Sequence, residues 1–252
     1  MPCRYFIKLD YNGSAFHGWQ IQPNAITVQE WVNKALSNLL KEDINIVGCG
    51  RTDTGVHAKN FFAHFDSADG NLHKNHDLIF KLNRYLPKEI VIHNIIKMHN
   101  DAHCRFDATS RTYKYYIGKS KNPFNYMYAV YFYGKLDIMA MNKAAEKLFD
   151  YSDFTSFSKV DTDVKTNICK IMEAKWHEDD NQLVFTIKAD RFLRNMVRAI
   201  VGTLLDVGKG KLTVDEFCNI IELKDRRKAG TSAPAHALFL DSVCYPYNVG
   251  LA

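Results

Sequence analysis

The chain has 252 residues, of which 46% are hydrophobic and 24% are charged. This composition is typical of a globular protein and argues against a disordered one, and the length suffices for one large domain or two of ordinary size. The formal net charge of +5 is weak support for a polyanionic partner, because many basic proteins bind no nucleic acid.

The sequence contains no sign of export or of a membrane segment. Its six cysteines form no CxxC pair and no clustered disulfide framework, so we expect reduced thiols. The stretch Met1–Tyr5 lacks a basic segment leading into an apolar run, and no apolar run approaches the roughly 18 residues of a membrane span. We therefore expect a cytoplasmic protein.

The first part of the chain is predicted to alternate strands with two helices. Thr27 and Glu30 have the spacing of a capping box, and the apolar residues that follow recur at helical spacing, which predicts an amphipathic helix over Val28–Lys41. The other elements predicted here are strands at Tyr5–Asp10, Ile44–Cys49 and Asn60–Phe65, a helix at Asn75–Arg84 and a strand at Glu89–Met98.

A second series of elements starts after residues 100–110. The apolar stretch Phe192–Val207 predicts a long helix that Gly208 stops. The other elements predicted here are a strand at Arg111–Gly118, a helix at Asp137–Phe149, a hairpin of Ile168–His177 with Leu183–Lys188, a short helix at Val214–Leu223 and a strand at Ala237–Val243. Each half thus has the element order of a ferredoxin-like unit, strand-helix-strand-strand-helix-strand.

One loop between two predicted strands combines glycines with charged residues. It reads Gly-Cys-Gly-Arg-Thr-Asp-Thr-Gly-Val-His-Ala over residues 48–58. Glycines let a ligand approach the main chain closely, so the carboxylate of Asp53 is expected to be presented and not buried. Local chemistry alone leaves a second interpretation equally open, in which Asp53 only caps a turn.

This loop resembles the signature loop of the tRNA pseudouridine synthase A family, in which the aspartate of Gly-Arg-Thr-Asp is the catalytic nucleophile. Similar matches follow in order along nearly the whole chain. They are Tyr11-Asn12-Gly13, Gly18-Trp19-Gln20, Leu82–Pro87, Arg105–Thr109, Arg111-Thr112-Tyr113, Asp153–Phe157, Met196–Gly202 and Leu238-Phe239-Leu240.

The resemblance implies an α+β fold of two ferredoxin-like halves, joined into one mainly antiparallel sheet with helices on one side and a central cleft. We place the halves at residues 1–102, with the aspartate loop, and 103–252. The implied activity is isomerisation of uridine to pseudouridine in the anticodon stem-loop of tRNA, at positions 38 to 40, by base flipping. The resemblance also implies a homodimer without metal or cofactor.

The resemblance makes Asp53 the nucleophile, and whether it attacks C1′ of the sugar or C6 of the base stays open. A nucleophilic carboxylate must be ionised, yet exclusion of water raises its pKa, so a fixed cation is expected nearby. The resemblance assigns this role to Arg198. The alternative, an ordinary exposed helix arginine, is less favoured because the surrounding helix is largely apolar.

Three further residues are candidate substrate contacts. The resemblance aligns Tyr113 with a substrate-binding tyrosine, which would stack on the flipped base and assist proton movement at C5, whereas the alternative is packing in a tyrosine-rich strand. Arg51 is assigned the wedge that occupies the gap left by the base, or else it pairs with a carboxylate. His57 is a candidate contact to the RNA backbone, or a structural histidine.

The chain contains other groups that could bind a metal ion or phosphate. The groups His73-x-x-His76 and His99-x-x-x-His103-Cys104 lack third and fourth ligands at zinc spacing, so no metal site is predicted. A basic rim that meets phosphate is a hypothesis built from scattered residues. Its members are Lys119, Lys121, Arg191, Arg194 and the run Lys224–Lys228.

Three positions depart from the family pattern, namely Cys49, Asn167 and Ala237. None of them is a predicted catalytic residue, so we expect activity to be retained. Two other functions stay as alternatives: an RNA-binding module without catalysis, and a metal-dependent nuclease.

Overall fold

The structure is a computed structural model that describes residues 2–159, 166–179 and 181–249. The protein is a mixed α+β protein whose strands pair mainly in antiparallel fashion. The chain forms two compact units, Met1–Thr109 with Leu240–Ala252, and Ser110–Phe239. No helix in the described ranges is long and apolar enough to cross a membrane.

The first unit contains two helices and a mainly antiparallel sheet. Its strand order is β4-β1-β3-β9, and β2 pairs with β3 in antiparallel fashion. The elements are β1 (Cys3–Tyr11), α1 (Val28–Leu40), β2 (Val47–Gly48), β3 (His57–Ser67), α2 (His76–Tyr85), β4 (Ile90–Lys97) and β9 (Leu238–Cys244), whose last five residues belong to this unit.

The core of the first unit lies around its central strand, β1. Tyr5, Phe6 and Ile7 are all fully buried. Since successive residues of a strand point to opposite faces, this burial means that both faces of β1 are covered.

Helix α1 confirms the helix predicted from Thr27 and the apolar period. The Thr27 side chain accepts a hydrogen bond from Glu30 N at 3.4 Å, which satisfies one of the amides left free at a helix start. The helix ends at Leu40, and the capping residue after it, Lys41, has a left-handed φ of 59°. Its buried residues follow helical spacing and are Val28, Val32, Ala35 and Leu36.

The second unit contains a three-stranded antiparallel sheet of order β5-β8-β7, with a short parallel strand, β6, at the end of β5. Helix α4 is its most buried helix, because eleven of its 13 residues are buried. The elements are β5 (Ser110–Gly118), β6 (Val130–Tyr131), α3 (Ile138–Glu146), β7 (Ile171–Asp179), β8 (Gln182–Ala189), α4 (Met196–Gly208) and α5 (Val214–Glu222).

Several predicted elements are shorter in the structure. The strand predicted over Ile44–Cys49 is reduced to Val47–Gly48, because side chains of α1 take up the amides: Ile44 N donates to Ser37 Oγ at 3.0 Å, and Ile46 N to Asn33 Oδ1 at 2.9 Å.

The long helix predicted from Phe192 begins at Met196 instead. The residue before it, Asn195, has a left-handed φ of 66°, a conformation that asparagine tolerates and a continuing helix does not.

Candidate active site

The loop that carries Asp53 is tied to the rest of the first unit through its main chain. Thr52 O accepts a hydrogen bond from Trp19 N at 3.3 Å, and the Thr52 hydroxyl lies 2.8 Å from the Tyr11 hydroxyl. Asp53 O accepts from Val56 N at 3.1 Å, which closes a turn. The Asp53 residue is partly exposed, and the main chain on both sides of it is held in place.

Two glycines from earlier in the chain pack directly against the backbone of this loop. A Cβ atom on Gly13 would lie 2.0 Å from Val56 O. A Cβ atom on Gly18, whose φ is +89°, would lie 2.4 Å from Thr52 O. Any side chain at either position would displace the loop. Three of the stretches that carried the family resemblance thus come together around Asp53.

The structure gives the other two candidates of this loop different surroundings. His57 is only 1% exposed, and its Nδ1 accepts a hydrogen bond from Gly13 N at 3.1 Å, which ties the loop to the segment beside it. Arg51 is exposed. The RNA contact of His57 and the wedge role of Arg51 both stay predictions.

Arg198 lies on α4 in the second unit and is held by the backbone of one neighbour. Its Nε donates to Ala233 O at 2.8 Å, and Ala233 N donates to Arg198 O at 2.9 Å. The first bond orients the guanidinium group, and the second holds the backbone of Arg198 against the same residue. Arg198 is partly exposed, in a helix where nearly every other residue is buried.

A second contact brings the segment that holds Arg198 close to the helix. A Cβ atom on Gly202 would lie 1.9 Å from Thr231 O, so only glycine allows this approach. The sequence analysis missed both Gly202 and Ala233 as parts of the site. A glycine in the middle of an apolar helix was a usable signal, since such a glycine commonly marks close packing.

The basic run predicted to meet phosphate is partly committed to its own loop. Arg226 donates from Nη2 to Ser232 Oγ at 2.8 Å and from Nη1 to Gly230 O at 3.2 Å. Arg227 pairs with Asp225 at 2.8 Å, and this hydrogen-bonded guanidinium lowers the pKa of Asp225 to about 2. Arg226 therefore shapes the segment that reaches Arg198.

Tyr113 lies on β5 in the second unit and is partly exposed. Its ring meets that of Phe192 edge-on, with centroids 5.1 Å apart and an interplanar angle of 87°. Two residues further along, Tyr115 is fully buried, and burial raises the pKa of its hydroxyl while the charge of Arg198 acts in the opposite direction. Tyr115 is a neighbour of Arg198 that the sequence analysis did not single out.

The predicted site residues are divided between the two units. Arg51, Asp53 and His57 lie in the first unit, and Tyr113 and Arg198 lie in the second. Among the residues that the structure describes, no group of three or more His, Cys, Asp and Glu side chains is placed to hold a metal ion.

The chain is similar to known proteins over nearly its whole length. Residues 144–246 match a family model described as tRNA pseudouridine synthase. The chain is 58% identical over 246 residues to tRNA pseudouridine synthase A of Parabacteroides distasonis, covering 96% of each chain. It is 58% identical over 247 residues to the protein of that name from Bacteroides fragilis, covering 98% of each.

A more distant relative, tRNA pseudouridine synthase A of Bacillus subtilis, is 39% identical over 241 residues, which cover 94% of this chain and 97% of that protein. Identity at these levels over almost complete lengths shows common descent. The chain belongs to the tRNA pseudouridine synthase A family.

Proposed function

We propose that the protein isomerises uridine to pseudouridine in tRNA, in the anticodon stem-loop at positions 38 to 40. The observation that carries this proposal is the setting of Asp53. It stands in the Gly-Arg-Thr-Asp loop of a chain 58% identical to a tRNA pseudouridine synthase A, with its main chain hydrogen-bonded and the residue partly exposed.

The reaction exchanges one bond of the base for another. The bond from C1′ to N1 breaks, a bond from C1′ to C5 forms, the proton on C5 leaves and N1 gains a proton. The product is an isomer of the substrate, so neither an oxidant nor an energy source enters. Asp53 acts as a nucleophile that holds one fragment while the base turns, by addition either to C1′ or to C6.

Arg198 supplies the positive charge that keeps the nucleophile ionised. Support comes from the hydrogen bond that its Nε donates to Ala233 O, which orients the guanidinium group before a substrate arrives. Tyr113 stacks on the flipped uracil, and its hydroxyl assists proton movement at C5. Its partial exposure and its edge-on support by Phe192 are suited to that contact.

Arg51 serves as the wedge that takes the place of the extruded base, in keeping with its exposure. We extend the proposal to a cytoplasmic homodimer that needs neither metal nor cofactor, and to ferredoxin-like halves at 1–102 and 103–252. In the first unit the order β4-β1-β3, with β2 paired to β3, supports the ferredoxin-like half.

The test compares Asp53→Ala with Asp43→Ala, a change at an exposed aspartate outside the loop. Unmodified tRNA is incubated with each protein, with and without a chelator, and pseudouridine and strand breaks are mapped along the RNA. We expect Asp53→Ala to lose turnover by about three orders of magnitude or more, the scale of losing a nucleophile, while it still binds tRNA. Asp43→Ala is expected to match the wild type.

The same experiment separates the alternatives. Turnover that survives in Asp53→Ala excludes Asp53 as the nucleophile. A wild-type protein that binds tRNA without forming pseudouridine is an RNA-binding module, and strand scission that the chelator stops identifies a nuclease. Pseudouridine outside the anticodon arm keeps the reaction and overturns the proposed positions.

A further inference from the structure

An exposed stretch of the second unit, residues 119–135, has an unusual composition and is called here the aromatic segment. Its 17 residues include six aromatic side chains and three lysines, and no aspartate or glutamate. Three of the aromatic residues project strongly: Phe124 is 91% exposed, Tyr133 is 79% exposed and Tyr126 is 67% exposed. Large apolar surfaces that a protein leaves open commonly mark a contact with a partner.

The aromatic segment is held in a defined conformation. Strand β6 within it pairs with Ile117–Gly118 at the end of β5. Asn125 O accepts hydrogen bonds from Tyr128 N at 2.8 Å and from Ala129 N at 3.0 Å, which closes a tight turn. The exposed rings therefore stand on a folded support and do not belong to a structureless loop.

A cleft of about 330 Å³ lies within the aromatic segment. It is lined by the side chains of Lys121, Asn122, Asn125, Tyr126 and Tyr131, together with smaller residues. Asn122 is oriented by its Oδ1, which accepts a hydrogen bond from Phe124 N at 2.9 Å. The volume is at the small end of the range for ligand pockets, about 300 to 1,000 Å³.

We propose that the aromatic segment binds unpaired nucleotides of the substrate RNA, with a base stacked on the Tyr126 ring in the cleft and Lys121 on a phosphate. The inference rests on the proposed function and adds a second RNA contact to it. Single-stranded nucleic acids are bound by aromatic rings that stack on bases, combined with positive charge along the backbone. The surface that lines the cleft is almost entirely apolar, which suits the face of a stacked base.

The charge of the aromatic segment favours RNA over a second copy of the chain. Lysine is depleted in the cores of protein interfaces, whereas here Lys119, Lys121 and Lys135 flank the rings, and residues 119–135 contain no aspartate or glutamate. Lys119 forms an ion pair with Glu178, so the phosphate contact is assigned to Lys121.

The position of the cleft along the chain suits a substrate that also meets Tyr113. Gly118 lines the cleft and ends β5, the strand that carries Tyr113. Five residues of strand span about 17 Å, which a few nucleotides can bridge. One RNA can therefore contact both places on the second unit.

The test uses the double variant Phe124→Ala with Tyr126→Ala in the full chain, and Phe80→Ala as the matched control. Phe80 is a 63% exposed ring in the first unit. Dissociation constants for unmodified tRNA are measured at fixed salt, together with kcat for pseudouridine formation. We expect the double variant to bind about tenfold more weakly or worse, the loss of one or more stacked bases, and to keep its kcat at saturating tRNA. Phe80→Ala should bind as the wild type does.

A third variant, Lys121→Gln, tests the phosphate contact. The binding constant K for tRNA decreases with salt, and we expect the negative slope of log K against log salt to become shallower by about one. This variant also decides the question if the double variant fails to fold, which a melting curve shows.

Two results overturn the inference. One is unchanged tRNA affinity in the double variant together with an unchanged salt slope in Lys121→Gln. The other is a double variant that binds tRNA normally but sediments with a lower mass than the wild type, which assigns the aromatic segment to a contact between copies. If the wild-type protein binds no tRNA, the proposed function fails together with this inference. If Asp53→Ala is inactive and the double variant binds tRNA normally, this inference fails and the proposed function stands.

Discussion

Two buried tyrosines show how single polar atoms are treated differently within this protein. Tyr5 and Tyr115 are both fully buried, and burial raises the pKa of each hydroxyl. The Tyr5 hydroxyl donates to Asp69 O at 2.7 Å, whereas the Tyr115 hydroxyl has no hydrogen-bond partner among the described residues. A buried hydroxyl without a partner loses its bonds to water and gains none in return.

The first prediction contrasts Tyr5→Phe with Tyr115→Phe. Removing the bonded hydroxyl of Tyr5 is expected to lower the free energy of unfolding by about 1 kcal/mol, while removing the hydroxyl of Tyr115 should leave it unchanged or raise it. Unfolding in urea, followed by circular dichroism, measures both variants. Equal losses of stability would show that Tyr115 has a hydrogen bond after all.

Among the secondary structure elements, α4 depends most on contacts outside itself. Eleven of its 13 residues are buried. The backbone of Thr231 packs against Gly202 so closely that no side chain would fit there. The Gly230 amide also donates to Thr203 Oγ1 at 2.9 Å. The helix and the segment after α5 therefore pack tightly together. The hydrogen bond from Arg198 Nε to Ala233 O, within this contact, determines the direction of the guanidinium group.

The second prediction concerns Gly202→Ala. Helix propensity alone predicts a gain of about 1 kcal/mol, but the new methyl would lie 1.9 Å from Thr231 O, and overpacking of this kind costs about 1 to 3 kcal/mol. A methyl pressed against backbone puts the cost at the upper end, so the net loss is about 2 kcal/mol and the melting temperature should fall by about 4 to 8 °C. We also expect a reduced kcat, because Ala233 moves with the displaced backbone.

Gly50→Ala is the control for stability, since its Cβ would meet no atom within 4 Å. It should melt at the wild-type temperature. A stabilised Gly202→Ala variant would mean that the close approach of Thr231 is not present in solution.

On the scale of the whole molecule, the end of the chain belongs with its beginning. Residues 240–249 lie in the first unit, where the Tyr245 hydroxyl donates to Cys104 O at 2.7 Å and the Tyr247 hydroxyl to Asp107 Oδ2 at 2.8 Å. Both rings also pack edge-on against Phe6 of the central strand. The first unit is therefore completed only after the second has been synthesised.

The third prediction is that a chain ending at Phe239 loses the stability of the first unit. It would lack most of β9 and the rings that cover Phe6, a loss of several kcal/mol, so the melting temperature should fall by about 10 °C or more. Limited proteolysis should then cut first within residues 1–109. A truncated chain that melts as the full chain does would show that the first 109 residues are sufficient by themselves.

Local sequence determined the helices of this protein, apart from the start of α4, and the loop of Asp53. Helix α1 could be predicted because its apolar period and its capping threonine lie within a few residues of each other. The glycines around Asp53 likewise predicted a tight loop from local sequence. The candidate residues and their roles came from the family resemblance.

Only the tertiary structure decided which distant groups meet. It shortened the strand before Asp53, because α1 supplies the partners for its amides. It also joined Arg226 by a hydrogen bond to Ser232, in the loop that reaches Arg198. It also placed the last strand in the first unit and exposed the rings of the aromatic segment. Periodicity and caps act over a few residues of chain, whereas these contacts depend on hydrogen bonds and packing between residues far apart in sequence.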